Sequence, residues 1–200
     1  MSNTRSVIRG SIKSSVELRQ KLIDSGPFLS EVEKASDAII KAFKENRKLL
    51  LAGNGGSAAD SQHIAAEFVN RFYLERPGLP AVALTTDTSV LTSIGNDYGF
   101  DKVFARQVMA LGAEGDVFIG ISTSGNSKNL IEAFKACAEK KIVTIGLTGS
   151  GGGMMGKLCD ICIIVPSDET PRIQEVHILT GHIICSIVES ELFGSHKSPK

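Results

Sequence analysis

The apolar run Leu49-Leu50-Leu51-Ala52 is followed by Gly53-Asn54-Gly55-Gly56 and then by a mixed pattern from Ser57 onward. That order predicts a buried strand, a tight turn and a helix. Runs of similar β-rich character occupy residues 48–52, 81–84, 116–121, 142–147 and 161–165, and the segments between them read mainly as helix. Such alternation predicts a parallel sheet with helices on both faces. Two helices are expected before the first strand. Ile8, Ile12, Val16 and Ile23 fall at roughly helical spacing, and Ser30-x-x-Glu33 reads as a capping box ahead of a stripe of Val32, Ile39, Ile40 and Phe43. The last helix is expected to open at Thr170-Pro171, with proline in the first turn, and to run to about Phe193. Residues 1–29 then form a helical segment suited to packing an oligomer, residues 30–194 a single α/β domain, and residues 195–200 a disordered tail.

A chain of 200 residues with 42% hydrophobic content suits one such domain. Lys+Arg and Asp+Glu balance at 22 each, which speaks against a nucleic-acid surface or an acidic-membrane surface and leaves local charge to bind a small partner. No apolar run approaches the ~18 residues of a membrane span, and the first ten residues lack a signal-peptide core, so a cytoplasmic protein is expected. Cys137, Cys159, Cys162 and Cys185 form no paired framework, and Cys159-x-x-Cys162 precedes a strand instead of opening a helix. These read as buried, reduced thiols.

The turn at Asn54, Gly55 and Gly56 predicts an anion site, because N–H groups at a helix start are unpaired and glycines let a ligand approach the main chain. Gly53-x-Gly55-x-x-Ala58 also matches a relaxed dinucleotide fingerprint, with Asp87 placed as a ribose-binding acid. That match is short and leaves a second hydroxyl-rich loop unexplained. Gly151-x-x-x-x-Gly156-Lys157 begins like a P-loop, yet Leu158 stands where a magnesium-binding Ser or Thr is needed, so this stretch reads as a flexible loop. The second loop, Ile121 to Ser127, offers Ser122, Thr123, Ser124 and Ser127 between a strand end and a helix start. Side-chain hydroxyls and helix N–H groups can converge there on a terminal phosphate. The competing reading is a loop that only caps its own helix, which needs one hydroxyl.

The stretches GNGGSAADSQHIAAEF, GNDYGF, GISTSGNSKN and RIQEVHILTGHI closely resemble the sugar isomerase (SIS) domain family and, within it, the phosphoheptose isomerases. The resemblance runs from the second helix to the last. It implies a five-stranded parallel sheet in a three-layer, flavodoxin-like α/β sandwich and a homotetramer with active sites at subunit interfaces. The activity it implies is conversion of sedoheptulose 7-phosphate to D-glycero-D-manno-heptose 7-phosphate through an enediol, the first step of bacterial heptose synthesis for lipopolysaccharide or other surface glycans. A second branch of the family, resembling the replication-initiator-associating proteins, keeps the fold and binds a protein partner instead.

His63 and Glu67 stand four apart on the helix after the first loop, a spacing that serves either a metal pair or an acid/base pair. The resemblance implies that Glu67 is the catalytic base and His182 its partner, and that His63, Glu67, Gln174 and His182 hold zinc. A metal on Glu67 would lower its basicity, so the two roles oppose each other. Gln174 and His182 are eight apart, ~12 Å on one regular helix, so either Gln174 sits in an irregular turn or the site combines subunits. Gln174, Glu67, Asn96 and Asp97 are also implied as substrate contacts, although an Asn-Asp turn alone would account for the last two. His177 reads as a packed or interface histidine.

Overall fold

The computed structural model describes residues 3–194. The expected tail at 195–200 therefore lies outside the described residues. In chain order the elements are α1 (Asn3–Ile23), α2 (Gly26–Lys44), β1 (Leu49–Gly53), α3 (Gly56–Val69), β2 (Ala81–Ala83), α4 (Thr88–Tyr98), α5 (Val103–Leu111), β3 (Val117–Ser122), α6 (Lys128–Glu139), β4 (Val143–Thr148), β5 (Ile161–Ile164) and α7 (Thr170–Phe193). Short 3-10 turns lie at Phe100–Lys102 and Met155–Lys157.

Among the described residues the sheet has five strands in the order β2-β1-β3-β4-β5, all parallel. Successive residues of a strand point to opposite faces, and here both faces are covered, which explains the unbroken apolar run of β1. Leu49 and Leu51 enter one core with Ile39, Ile64 and Ile184, whereas Leu50 and Ala52 enter another with Val108, Leu130 and Phe134. The three layers are thus α1, α2, α3 and α7, then the sheet, then α5 and α6 with α4 at their margin.

Every expected strand is present, displaced by a residue or so. The start of α2 differs more. Ser30 lies inside a helix that opens at Gly26, with Ser25 as its N-cap and proline in its first turn. Proline's fixed φ and missing N–H suit that position, so Pro27 sets the start and no capping box forms at Ser30. The apolar stripe expected on α1 is present and faces outward, since Ile8, Ile12, Val16 and Ile23 are each more than half exposed. Only Leu18 and Leu22 of α1 are buried. One further expectation needs amending. By length and composition α7 could cross a membrane, but one side of it is buried in the first core through Ile173, Val176, Ile184, Cys185 and Val188.

His177 on α7 is wholly buried, and its Nε2 lies 3.2 Å from the Thr148 carbonyl while Nδ1 has no partner. A carbonyl only accepts, so Nε2 carries the proton and the ring is neutral. Burial lowers its pKa to about 4, against a smaller opposing effect of the Thr148 hydrogen bond. A depressed histidine pKa means that the folded protein binds fewer protons than the unfolded chain between pH 6.5 and 4. The stability it contributes is complete above pH 6.5 and is lost as pH falls through that window, by up to about 3 kcal/mol. Urea titrations should show this loss in the wild type, and His177→Gln, which cannot be protonated, should flatten the same window.

Candidate active site

β1 and β3 are neighbours, yet the chain leaves β1 toward α3 on one face and leaves β3 toward α6 on the other. Ligands in open parallel sheets bind beyond the strand ends at such a switch point. Both loops named from the sequence lie there. A Cβ on Gly53 would stand 2.5 Å from the Ser57 carbonyl oxygen, so only glycine lets α3 start this close to the strand. Gly55 adopts φ +56° at the N-cap of α3, a conformation most side chains avoid. Asn54 and Asn129 exchange two amide hydrogen bonds, of 3.0 and 2.8 Å, which join the first loop to the first turn of α6. Asn129 is 3% exposed and was not singled out in the sequence.

The Ser122 hydroxyl lies 2.9 Å from that of Ser127 and 3.4 Å from that of Ser124. Ser127 is the N-cap of α6, but its side chain makes no capping bond. The capping-only reading therefore loses its main support, and the α6 N-terminus keeps N–H groups for a ligand. Gly125, at φ +63°, packs against Gly152 and Gly153, and its carbonyl accepts from Met155 N–H at 2.9 Å. Asn126 Oδ1 accepts from Met154 N–H at 3.0 Å, and Gly149 N–H donates to the Thr123 carbonyl. The stretch expected to be a flexible loop is instead tied to the serine loop by these hydrogen bonds.

Across the outer face, His63 Nε2 lies 2.8 Å from His182 Nε2 and 3.2 Å from Glu67 Oε1. Two helices supply these groups. Ile64 of α3 packs against Gly181 of α7, where a Cβ would come within 2.5 Å of the isoleucine side chain. Glycine there permits the close crossing that brings residues 63 and 182 together. All three ligand atoms lie within 4.8 Å of one another. Two imidazole nitrogens that face each other this closely must share one proton or both give a lone pair to a cation. With the carboxylate beside them, the donor set fits a divalent ion of borderline softness.

Gln174 stands apart from this group. Its amide contacts Gly56 at the start of α3, and α7 runs as one helix from Thr170, so the irregular turn considered from the sequence is not found. Eight residues of continuous helix separate it from His182 by ~12 Å. Asn96 and Asp97 are exposed in the last turn of α4, where Asn96 Nδ2 donates to Asp97 Oδ1 at 2.8 Å; they belong to a helix, not to a turn. Asp87 accepts from Val90 N–H at 2.9 Å and caps α4, which removes the acid that the dinucleotide reading required. Asp60, one turn before His63, also escaped the sequence reading. Its Oδ2 is buried without a partner, and burial raises its pKa against the opposing pull of His63.

The doubly covered parallel sheet, the serine loop at its switch point and the imidazole–carboxylate cluster define a phosphosugar-type α/β domain. The chain belongs to the SIS domain family, whose pattern matches residues 18–149. Within that family it is 58% identical over 200 residues to phosphoheptose isomerase 2 of Campylobacter jejuni, covering all of both chains. It is 57% identical over 186 residues to the phosphoheptose isomerase of Aneurinibacillus thermoaerophilus, covering 93% of this chain and 94% of that one. Among solved structures, the phosphoheptose isomerase of Neisseria gonorrhoeae superposes with a TM-score of 0.89 at 43% identity, covering 94% of this chain and 100% of that one.

If the serine loop holds a phosphate, Ser124→Ala or Ser127→Ala should each weaken phosphosugar binding by about 1–3 kcal/mol, the range for a lost hydrogen bond to a charged group. Michaelis constants would show it, and unchanged values in both variants would return the loop to a structural role. Asn129→Ala should raise the same constant and also lower the melting temperature by a few degrees, because it removes a buried amide and leaves both Asn54 groups without their partners.

Proposed function

We propose that this chain is a phosphoheptose isomerase that interconverts sedoheptulose 7-phosphate and D-glycero-D-manno-heptose 7-phosphate. The meeting of His63, Glu67 and His182 carries the reading, and the names of the full-length relatives supply the substrate. Moving a carbonyl between adjacent carbons requires a base at carbon and an acid/base at the oxygens. Glu67 takes the proton from the carbon beside the carbonyl, and His182 serves the two oxygens through the enediol. Asn54, Gly55, Gly56, Ser122, Thr123, Ser124 and Ser127 seat the phosphate end, while Asn96, Asp97 and Gln174 bind hydroxyls. A non-catalytic binding module has no use for that base and acid side by side.

His63, Glu67 and His182 would hold a divalent ion, for which we propose zinc, and when bound it would polarise the sugar oxygens as a Lewis acid. Glu67 lies eleven residues along α3 from Gly56, ~16 Å by helix rise, so the phosphate loops and the acid–base group of one chain stand apart. We therefore place the complete site between subunits of a homotetramer, with Gln174 joining the ion from a neighbouring chain. The outward stripe of α1 and the absence of buried residues on α4 support such an assembly. Residues 1–29 serve the assembly, residues 30–194 the chemistry, and the enzyme works in the cytoplasm at the start of bacterial heptose synthesis.

Glu67→Gln and His182→Ala should each lose turnover by ~10²–10⁴-fold, the usual contribution of a general acid or base, with fold and assembly kept. A coupled assay with sedoheptulose 7-phosphate measures this, and near-normal turnover in both variants would refute the assignment. Light scattering should report a tetramer, and paired Ile8→Asp and Ile12→Asp changes should reduce it to smaller species. A wild-type monomer at micromolar concentration would contradict the shared-site arrangement.

A further inference from the structure

Two of the four cysteines are less buried than the expectation of buried, reduced thiols. Cys137 and Cys185 are fully buried, but Cys159 and Cys162 are only half-buried, and all four are free. Cys162 lies on β5 beside Gly146 of β4, and the Cys159 sulfur sits 3.0 Å from where a Cβ on Gly146 would be. Absence of a side chain at residue 146 thus leaves room for the Cys159 sulfur beside the strand position that pairs with Cys162. The Cys162 sulfur lies 3.8 Å from Thr148 Oγ1, and the two thiols, three residues apart in the chain, influence each other's ionisation. The neighbouring Cys159 thiol lowers the Cys162 thiol below its ordinary range despite burial and the nearby Glu31 carboxylate, and Cys162 raises Cys159 correspondingly.

The roof of this pair is the glycine loop. The Cys162 sulfur is 3.8 Å from a Cβ position on Gly152 and 3.4 Å from one on Gly156. The same loop carries Gly152 and Gly153 against Gly125, and Met155 N–H onto the Gly125 carbonyl. Gly125 sits between Ser124 and Ser127, so the chain of contact from dithiol to serine loop has one intervening segment.

We propose that Cys159 and Cys162 are a dithiol modification site that low-molecular-weight disulfides oxidise to an intramolecular disulfide, and that this oxidation weakens phosphosugar binding by shifting the glycine loop against Gly125. The Cys162 thiolate attacks one sulfur of the reagent disulfide, whose S–S bond breaks and releases one thiolate that takes up a proton. Cys159 loses its proton and attacks the Cys162 sulfur of the mixed disulfide, expelling the second reagent thiolate, which is protonated in turn. Two protein thiols are oxidised and one small disulfide is reduced to two thiols. The effect on binding rests on the phosphate-loop reading above; the thiol chemistry does not.

The test uses the full-length native protein with oxidised glutathione. Free thiols should fall from four to two without a retained adduct, while Cys159→Ser should trap one glutathione on Cys162 and Cys162→Ser should keep its remaining thiols. Oxidised wild type should show a Michaelis constant for the phosphosugar raised several-fold at little-changed turnover, reversed by a dithiol reductant and absent in Cys162→Ser. Four thiols persisting in the wild type would overturn the modification site. Loss of two thiols with an unchanged Michaelis constant, in a protein whose Ser124→Ala variant does raise it, would overturn the coupling. An unchanged constant in both would instead count against the phosphate-loop reading, with the thiol count still deciding the site itself.

Discussion

Arg76 and Glu189 bury their side chains to 1% and 2% exposure, and the placement of the His63–Glu67–His182 cluster depends on how that pair is satisfied. The carboxylate accepts from Arg76 Nε at 2.9 Å and from the backbone N–H groups of Phe72, Tyr73 and Leu74. The guanidinium donates onward to the carbonyls of Glu67, Phe68, Asn70 and Pro77. Helix ends leave their last carbonyls without partners, and Arg76 supplies them for α3. Burial alone would raise the Glu189 carboxyl, but these donors outweigh it and hold it below its ordinary value. Removing one member of such a pair strands a buried charge, a loss of about 3–5 kcal/mol. The pair pins the end of α3 to α7, two turns beyond the point where His63 meets His182.

From that anchor the two helices run side by side in the same direction. Gly56 lies against Gln174, Ile64 against Gly181 and the α3 end against Glu189, so the register is constant along the contact. Each glycine marks a place where the helices or their side chains come closest. A register shift by one turn would separate His63 from His182 and leave both loops intact, so the pair bears on the proposed proton-transfer groups more than on the proposed phosphate loops. The switch-point loops have a separate support in the Asn54–Asn129 amide pair and the glycine loop beneath Gly125. The fold thus holds its switch-point loops and its imidazole–carboxylate cluster by different means.

Strand positions, the parallel sheet, the span of α7 and both glycine- or serine-rich loops were legible in the sequence, because each rests on local periodicity or on residues that only certain backbones accept. Glu67 and His63 could be paired by helical spacing, but His182 entered only through family resemblance, being 119 positions from His63. The start of α2 was misplaced because Ser30 and Glu33 mimic a cap, while the nearby proline of the first turn is the stronger constraint. Cys159 and Cys162 were expected as buried, reduced thiols; both are free but only partly buried, since spacing says nothing of the vacancy that Gly146 leaves between two strands.

Local sequence therefore determined which segments become strand, helix or turn, since those choices depend on neighbours within a few residues. The tertiary structure alone decided which side chains meet. His63 with His182, Asn54 with Asn129, Arg76 with Glu189 and the two thiols with the glycine loop are contacts set by how far helices and loops approach one another. That approach is governed by the small residues and buried charges of distant segments, and no local pattern encodes it.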